Sequence, residues 1–356
     1  MRVAIRPIAS VSLVLLTIFA SAQGMAASVE ETLDKLNRLP ASERQTTMER
    51  EARKEGRVIF YTTLNIADLQ DIKRLFERKY PYLRIEDFRL GHARLANKIR
   101  TEALAGKLEA DTISMPAQYL DELRNSGAVL RYRPPVRSQL HDGFTDKEGW
   151  LNGIYNTAFF LQYNTKHVRR EELPKDWNDL LEPKWKDQLA IDQESYEWFA
   201  SLLDHLGEEK GLRFARQLAG RSLAVRRGHT LLSQLVAAGE FKIVIDQYDH
   251  IAYRAVKSGS PTNYAFFNPV LAEPPNASWV TRQSQRPHAA AFFVDFLFAK
   301  ETQQFLSERG RRMAHKEVSY LPAVPANYRY VIGDREKWGP RSNDLIKMFR
   351  ETFLAR

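Results

Sequence analysis

Residues 227–259 read RGHTLLSQLVAAGEFKIVIDQYDHIAYRAVKSG. Leu231, Leu232, Leu235 and Val236 recur at helical spacing and stop at Gly239. Ile243-Val244-Ile245 follows as a short apolar run, read as a buried strand, and opens without a gap onto Asp246-Gln247-Tyr248-Asp249-His250 at the start of another helical pattern. A buried strand that hands polar side chains to a helix N-terminus is a place where α/β proteins hold ligands, because free N–H groups of the first helical turn lie beyond the strand.

The same order recurs upstream. Residues 58–61 are apolar, Thr62-Thr63-Leu64-Asn65 ends the run, and Leu69, Ile72, Leu75 and Phe76 mark a helix closed by Tyr80-Pro81. Residues 83–88 form a second strand pattern, Gly91-His92-Ala93 leads into a helix carrying Leu95, Ile99 and Ala103, and residues 110–115 form a third strand before Pro116. This βαβαβα order implies a parallel sheet with helices on both faces, and ligands in such sheets sit beyond the carboxyl ends of the strands. That rule points to Thr62, Thr63 and Asn65 after the first strand and to Met115, Pro116 and Gln118 after the third. Further on, residues 151–165 read as extended chain leaving a first lobe. Residues 189–191 and 223–225 read as strands, and 264–267 as the return. Phe292, Phe293, Phe296 and Leu297 form a core stripe on the helix over 287–298.

The phrase Trp177-Asn178-Asp179-Leu180-Leu181-Glu182-Pro183-Lys184-Trp185, followed by the helix ending at Gly239, resembles the second lobe of periplasmic solute-binding proteins, in particular the ferric-iron-binding group of ABC importers. The resemblance covers roughly residues 57–310. It implies an α/β type 2 periplasmic-binding-protein fold: two lobes, each a mixed, mostly parallel sheet flanked by helices, joined by a two-crossing hinge. The expected divisions are a signal peptide at 1–22 and a helical extension at 23–56. Lobe one follows at 57–160 and lobe two at 161–265, with the rest of lobe one and a tail at 266–356. In that group adjacent tyrosines after the second-lobe strand bind ferric ion, with a histidine after the first strand and a glutamate after the third. Here those places hold Tyr248 and Asp249, Asn65, and Pro116. One of the four ligands is kept, and Asp249 is still a hard oxygen donor suited to a hard cation.

The N-terminus sets the compartment. Arg2 and Arg6 precede an apolar stretch over 11–20, about ten residues and too short to span a bilayer, with Ala20-Ser21-Ala22 as a small-residue cleavage site. This reads as a cleavable signal peptide and a periplasmic location. There is no cysteine, so neither disulfides nor a lipid-anchor thiol are available. The net charge is +9, or +7 without the two leader arginines. Basic residues interleave with acids, as in Asp71-Ile72-Lys73-Arg74 and Glu77-Arg78-Lys79, which argues against nucleic acid as a partner.

The chemistry of the residues favours an anion. Thr62 and Thr63 stand before one helix, Ser195 and Tyr196 before another, and Arg226-Arg227-Gly228-His229-Thr230 before a third. Backbone N–H groups and a guanidinium fork at such a place clamp carboxylate or phosphate. Histidines 92, 229 and 250 lack compact metal-ligand spacing and read as lone surface or capping residues, and Asp192, Glu194 and Glu197 read as a solvated acidic face. No G-x-S-x-G, H-E-x-x-H or P-loop motif occurs. The sequence therefore reads as the periplasmic substrate-binding subunit of an ABC importer. It is expected to be a monomer without catalytic residues, cofactor or resident metal, and to deliver a small anionic, phosphonate- or carboxylate-like solute to a membrane permease. Thr62, Thr63, Met115, Tyr196, Arg227, Tyr248 and Asp249 are expected to line the cleft. Thr62, Thr63 and Arg227 would hold the anionic group, Tyr196 and Tyr248 would stack on or hydrogen-bond the solute, and Asp249 would take a cationic group or metal. The alternatives are a ferric-ion carrier using Tyr248 and Asp249 and, more distantly, an exported hydrolase.

Overall fold

Ser28 and Glu31 close a capping box that starts α1 (Val29–Arg38). Pro40 breaks the chain, and α2 (Ala41–Glu55) runs on until Gly56, at φ +73°, turns it into the first strand. The computed structural model describes residues 27–321, 324–325 and 327–355; the expected signal peptide lies outside the described residues. The N-terminal extension is not peripheral. Val29, Leu33, Leu36, Met48 and Ala52 bury into the core of lobe one, and Arg44 donates to Asp295 at 2.7 Å and to the Tyr132 hydroxyl at 2.6 Å.

Lobe one continues with β1 (Arg57–Thr62), α3 (Ile66–Lys79), β2 (Arg84–Arg89), α4 (His92–Leu104), β3 (Thr112–Pro116), α5 (Leu120–Asn125) and β4 (Gly153–Asn156). Lobe two holds β5 (Phe159–Asn164), β6 (Leu189–Asp192), α6 (Tyr196–Leu206), α7 (Glu208–Ala219), β7 (Ala224–Arg226), α8 (His229–Ala238), β8 (Ile243–Tyr248), α9 (Asp249–Lys257) and β9 (Thr262–Ala265). After β10 (Val270–Ala272), β11 (Asn276–Val280), α10 (Pro287–Phe298), α11 (Lys300–Ser307) and β12 (Arg312–Met313) return to lobe one. The chain ends with β13 (Tyr330–Ile332), α12 (Arg335–Trp338) and α13 (Ser342–Phe353).

The lobe-one sheet has the order β12-β4-β11-β3-β1-β2 and the lobe-two sheet the order β7-β6-β8-β5-β9. Each is mixed. β2-β1-β3 and β7-β6-β8 pair in parallel, while β11, β4, β12, β5 and β9 enter antiparallel. Alternation along β1 explains its two-sided burial. Val58 and Phe60 pack with Ile72, Phe76 and Phe293, and Tyr61 faces the other way with Ile99, Ile113 and Met115. Phe293 meets Phe60 and Phe76 edge-on at 4.9 and 5.1 Å, contacts worth about 1 kcal/mol each beyond area burial. Trp177 and Trp185 plug the lobe-two core.

The extended stretch expected over 151–165 is two strands, one in each sheet. Two crossings fall at 157–158 and 273–275, where the Glu273 N–H donates to the Thr157 carbonyl at 2.9 Å and Ala158 bridges Ala272. The chain crosses a third time between β12 in lobe one and α13 on lobe two, whereas two crossings were expected. The expected return strand at 264–267 belongs in part to β9, still in lobe two. The tail differs from the expectation as well. β13 pairs in parallel with β10, and Trp338, Leu345, Phe349 and Phe353 bury in lobe two beside Trp198 and Phe199 rather than on lobe one. Leu345, Phe349 and Phe353 recur every four residues, so they form one apolar helix face, and the uncovered side of α6 and α7 receives it.

Candidate functional site

Strand ends and helix starts from both lobes meet around a cavity of about 520 Å³, a size suited to a small solute. The lobes are closed across it. Arg254 of α9 reaches Asp68 of α3 at 2.6 Å, and Glu197 of α6 accepts from Gln118 at 2.7 Å and sits 3.2 Å from Nδ1 of His92. Burial works against charge on His92, but Glu197 outweighs it, and the His92 pKa rises.

The floor is a fixed charge network. Asp68 is fully buried and accepts from Arg311 Nε at 2.6 Å, from Arg254 and from the Asn65 amide at 2.9 Å. Arg311, itself 3% exposed, lies 4.1 Å over the Tyr155 ring and 3.3 Å from His250 Nε2. The Asn65 amide also lies 3.4 Å from that nitrogen. Two donors on Nε2 require it to accept, so the His250 proton is on Nδ1, 3.1 Å from Asp249 Oδ1. Burial and the neighbouring Arg311 push the His250 pKa down to about 3, which keeps the ring neutral.

The hinge supplies Glu273, 3% exposed, with Oε1 lacking a hydrogen-bond partner among the described residues. Burial lifts its pKa to about 7 against the pull of His92, and Glu197 adds to the rise. Burial and the facing Glu273 keep the Tyr248 phenol well above its ordinary value, so it remains a hydroxyl donor. The His229 ring packs on Tyr248 with centroids 3.8 Å apart.

The mouth is cationic and rich in free N–H groups. The helices α4 and α8 have glycine N-caps, Gly91 and Gly228, with no side-chain cap. Their first intrahelical bonds run from Leu95 and Leu232, so the N–H groups of His92, Ala93 and Arg94, and of His229, Thr230 and Leu231, precede them. Gly228 has φ +105°, a conformation that glycine adopts without strain. Arg89, at the end of β2, and Arg94, in the first turn of α4, have no ion-pair partner among the described residues, Arg89 donating only Nε to the Leu64 carbonyl, and burial together with Arg94 lowers the Arg89 pKa. Arg227 is neutralised by Glu194 at 3.1 Å.

Of the residues expected in the cleft, Thr63, Tyr196, Arg227 and Tyr248 line it. Three do not. Thr62 is fully buried with its hydroxyl accepting from the Leu64 N–H at 3.1 Å, since strand alternation turns it away from Thr63. Met115 is fully buried in the second cluster of lobe one. Asp249 turns back to the hinge and its own helix, accepting from the N–H groups of Ala158 and His250 and from the Tyr320 hydroxyl at 2.6 Å. His92, His229 and His250, read as surface or capping residues, all line the cavity. Sequence reasoning missed Arg89, Arg94, Glu273, Arg311 and Arg350 as lining residues. Only Glu273, before Pro274-Pro275, carried a local signal, that of a chain crossing. At the places of the family's histidine and glutamate, Asn65 caps α3 and Pro116 ends β3. Among the described residues no group of three or more His, Cys, Asp or Glu is placed to hold a metal.

The sequence pattern of the family described as bacterial extracellular solute-binding protein matches residues 117–338. The chain belongs to that family. Iron uptake protein A1 of Synechocystis is 26% identical over 237 residues, a match spanning 62% of this chain and 60% of that relative. This solute-binding chain also shares its fold with two solved periplasmic proteins. AfuA of Actinobacillus pleuropneumoniae, solved with fructose-6-phosphate, is 20% identical with a TM-score of 0.74 over 85% of this chain and all (100%) of that one. Iron-bound HitA of Pseudomonas aeruginosa is 19% identical with a TM-score of 0.73 over 84% and 99%. The fold, two mixed sheets flanked by helices, is that of type 2 periplasmic binding proteins.

Proposed function

We propose that this protein is the periplasmic substrate-binding subunit of an ABC importer, capturing a small solute with a phosphate or carboxylate group between its lobes and handing it unchanged to a membrane permease. The observation that carries this reading is the pair of uncapped helix N-termini, α4 from one lobe and α8 from the other, beside the unpaired guanidiniums of Arg89 and Arg94. An anion held there contacts both lobes and so favours the closed form. Glu273 and Asp192 on the same cavity give the solute's hydroxyl or ammonium groups acceptors.

The test is calorimetry and melting of the mature protein with fructose 6-phosphate, inorganic phosphate, citrate and, as the uncharged control, fructose. At a hundredfold excess over Kd, ligand adds about 2.7 kcal/mol. Arg94→Met should weaken anion binding by roughly ten- to hundredfold, the worth of one charge-assisted hydrogen bond. Fructose binding as tightly as its phosphate, or melting that ignores every anion, refutes the reading. A second reading, ferric ion held with a bound anion, draws on the Tyr248 phenol facing Glu273 and on the iron uptake relative. A phenolate–iron colour in loaded protein, abolished by Tyr248→Phe, would favour it.

A further inference from the structure

One wall of the cleft comes from the end of the chain, beyond the stretch matched to the family. α13 is anchored on lobe two by its aromatic face: Phe349 meets Tyr196 edge-on at 5.2 Å and Phe199 at 5.7 Å, and Phe353 lies 6.0 Å from Phe199. With Leu345, Phe349 and Phe353 buried, helical spacing brings Ile346 and Arg350, four residues apart, together on an adjoining face. Both line the interlobe cavity. The Arg350 guanidinium faces the Tyr196 hydroxyl and pairs with no carboxylate among the described residues.

The charge balance makes this position matter. Lobe one offers the solute two unpaired guanidiniums, Arg89 and Arg94, while Arg311 is committed to Asp68. On the lobe-two side Arg227 is committed to Glu194, which leaves Arg350 as the cation that answers them. We propose that Arg350 and Ile346 of α13 are specificity-determining residues. Arg350 grips the solute's anionic group from the lobe-two side, and Ile346 is the apolar stop that limits solute length. The inference rests on the anion reading above and adds to it a lobe-two side chain that strengthens the coupling of the anion to closure.

The experiment compares wild type, Arg350→Met, Arg350→Lys, Ile346→Ala and, as a control, Lys347→Met on the same helix, a side chain 74% exposed. Fructose 6-phosphate and inorganic phosphate are titrated by calorimetry, and closure is followed by small-angle scattering. Arg350→Met should weaken both probes by roughly ten- to hundredfold and reduce compaction at a fixed ligand concentration, with Arg350→Lys recovering part of the affinity. Ile346→Ala should change the ratio of affinities for the two probes, and Lys347→Met should match wild type. Arg350→Met that binds and compacts like wild type, while wild type binds the anions, overturns this inference alone. Wild-type protein that binds neither anion overturns both readings. Unliganded melting of each variant separates lost binding from lost folding, a control that matters most for Ile346, which is half-buried against the lobe-two core.

Discussion

Replacing Asp68 by asparagine keeps the shape of the side chain and removes one buried charge. Its two arginine partners then differ in fate. Arg254 is 29% exposed and re-hydrates, so losing its pair is worth at most about 1 kcal/mol. Arg311 is 3% exposed, wedged between Tyr155 and His250, and is left as an uncompensated buried cation. Breaking a buried pair in this way destabilises by about 3–5 kcal/mol. With an unfolding entropy of about 2.1 cal/mol/K per residue, the 356-residue chain loses roughly 0.75 kcal/mol per degree near its midpoint, so Asp68→Asn should melt about 4–7 °C below wild type at pH 7. Acid sharpens the test. Burial alone would raise the Asp68 pKa, but Arg311 and Arg254 together hold it below the usual carboxylate value. A carboxyl depressed in the folded state contributes its stability above the unfolded pKa of about 3.9, and that contribution is lost as pH falls through the folded value. The gap between variant and wild type should therefore be full at pH 7 and shrink below about pH 4. Calorimetric melting of both proteins across pH 3–7 measures it. A variant melting within about 1 °C of wild type at pH 7 would refute the claim that this carboxylate neutralises the cleft floor.

Two further changes test the floor and the closure. His250 is neutral in the fold with a pKa of about 3, whereas the unfolded chain takes a proton below about 6.5, so acid between those values favours unfolding. His250→Gln should flatten the melting profile over that window by up to about 1.4 kcal/mol per pH unit, and an unchanged slope would contradict the assignment. Gly310, at φ +89°, touches lobe two: a Cβ there would stand 2.8 Å from the Tyr253 ring of α9. Gly310→Ala adds left-handed strain of about 1–2 kcal/mol and holds the lobes apart, so scattering should report a larger radius of gyration, and an identical curve would count against it.

Much of the fold was legible in the sequence because burial on both faces of a strand leaves a local mark: residues 58–61 and 243–245 are apolar runs that end in polar residues at a helix start. Thr63, Tyr196, Arg227 and Tyr248 could be placed at the cleft by that rule alone. The same rule placed Thr62, Met115 and Asp249 there. It fixes the end of a strand and leaves open which way each side chain turns, and Asp249 turns to the hinge only because Ala158 and Tyr320, distant in sequence, offer it donors. Arg311 and Arg350 look like ordinary surface charges in sequence, because a charge carries no record of its partner. The linear chain determined the two α/β units and the strand ends where a guest could sit. Only packing decided which arginines are neutralised and which stay free, since that balance is set by carboxylates brought within a few ångströms from distant parts of the chain, as Asp68 is to Arg311 and Glu194 to Arg227.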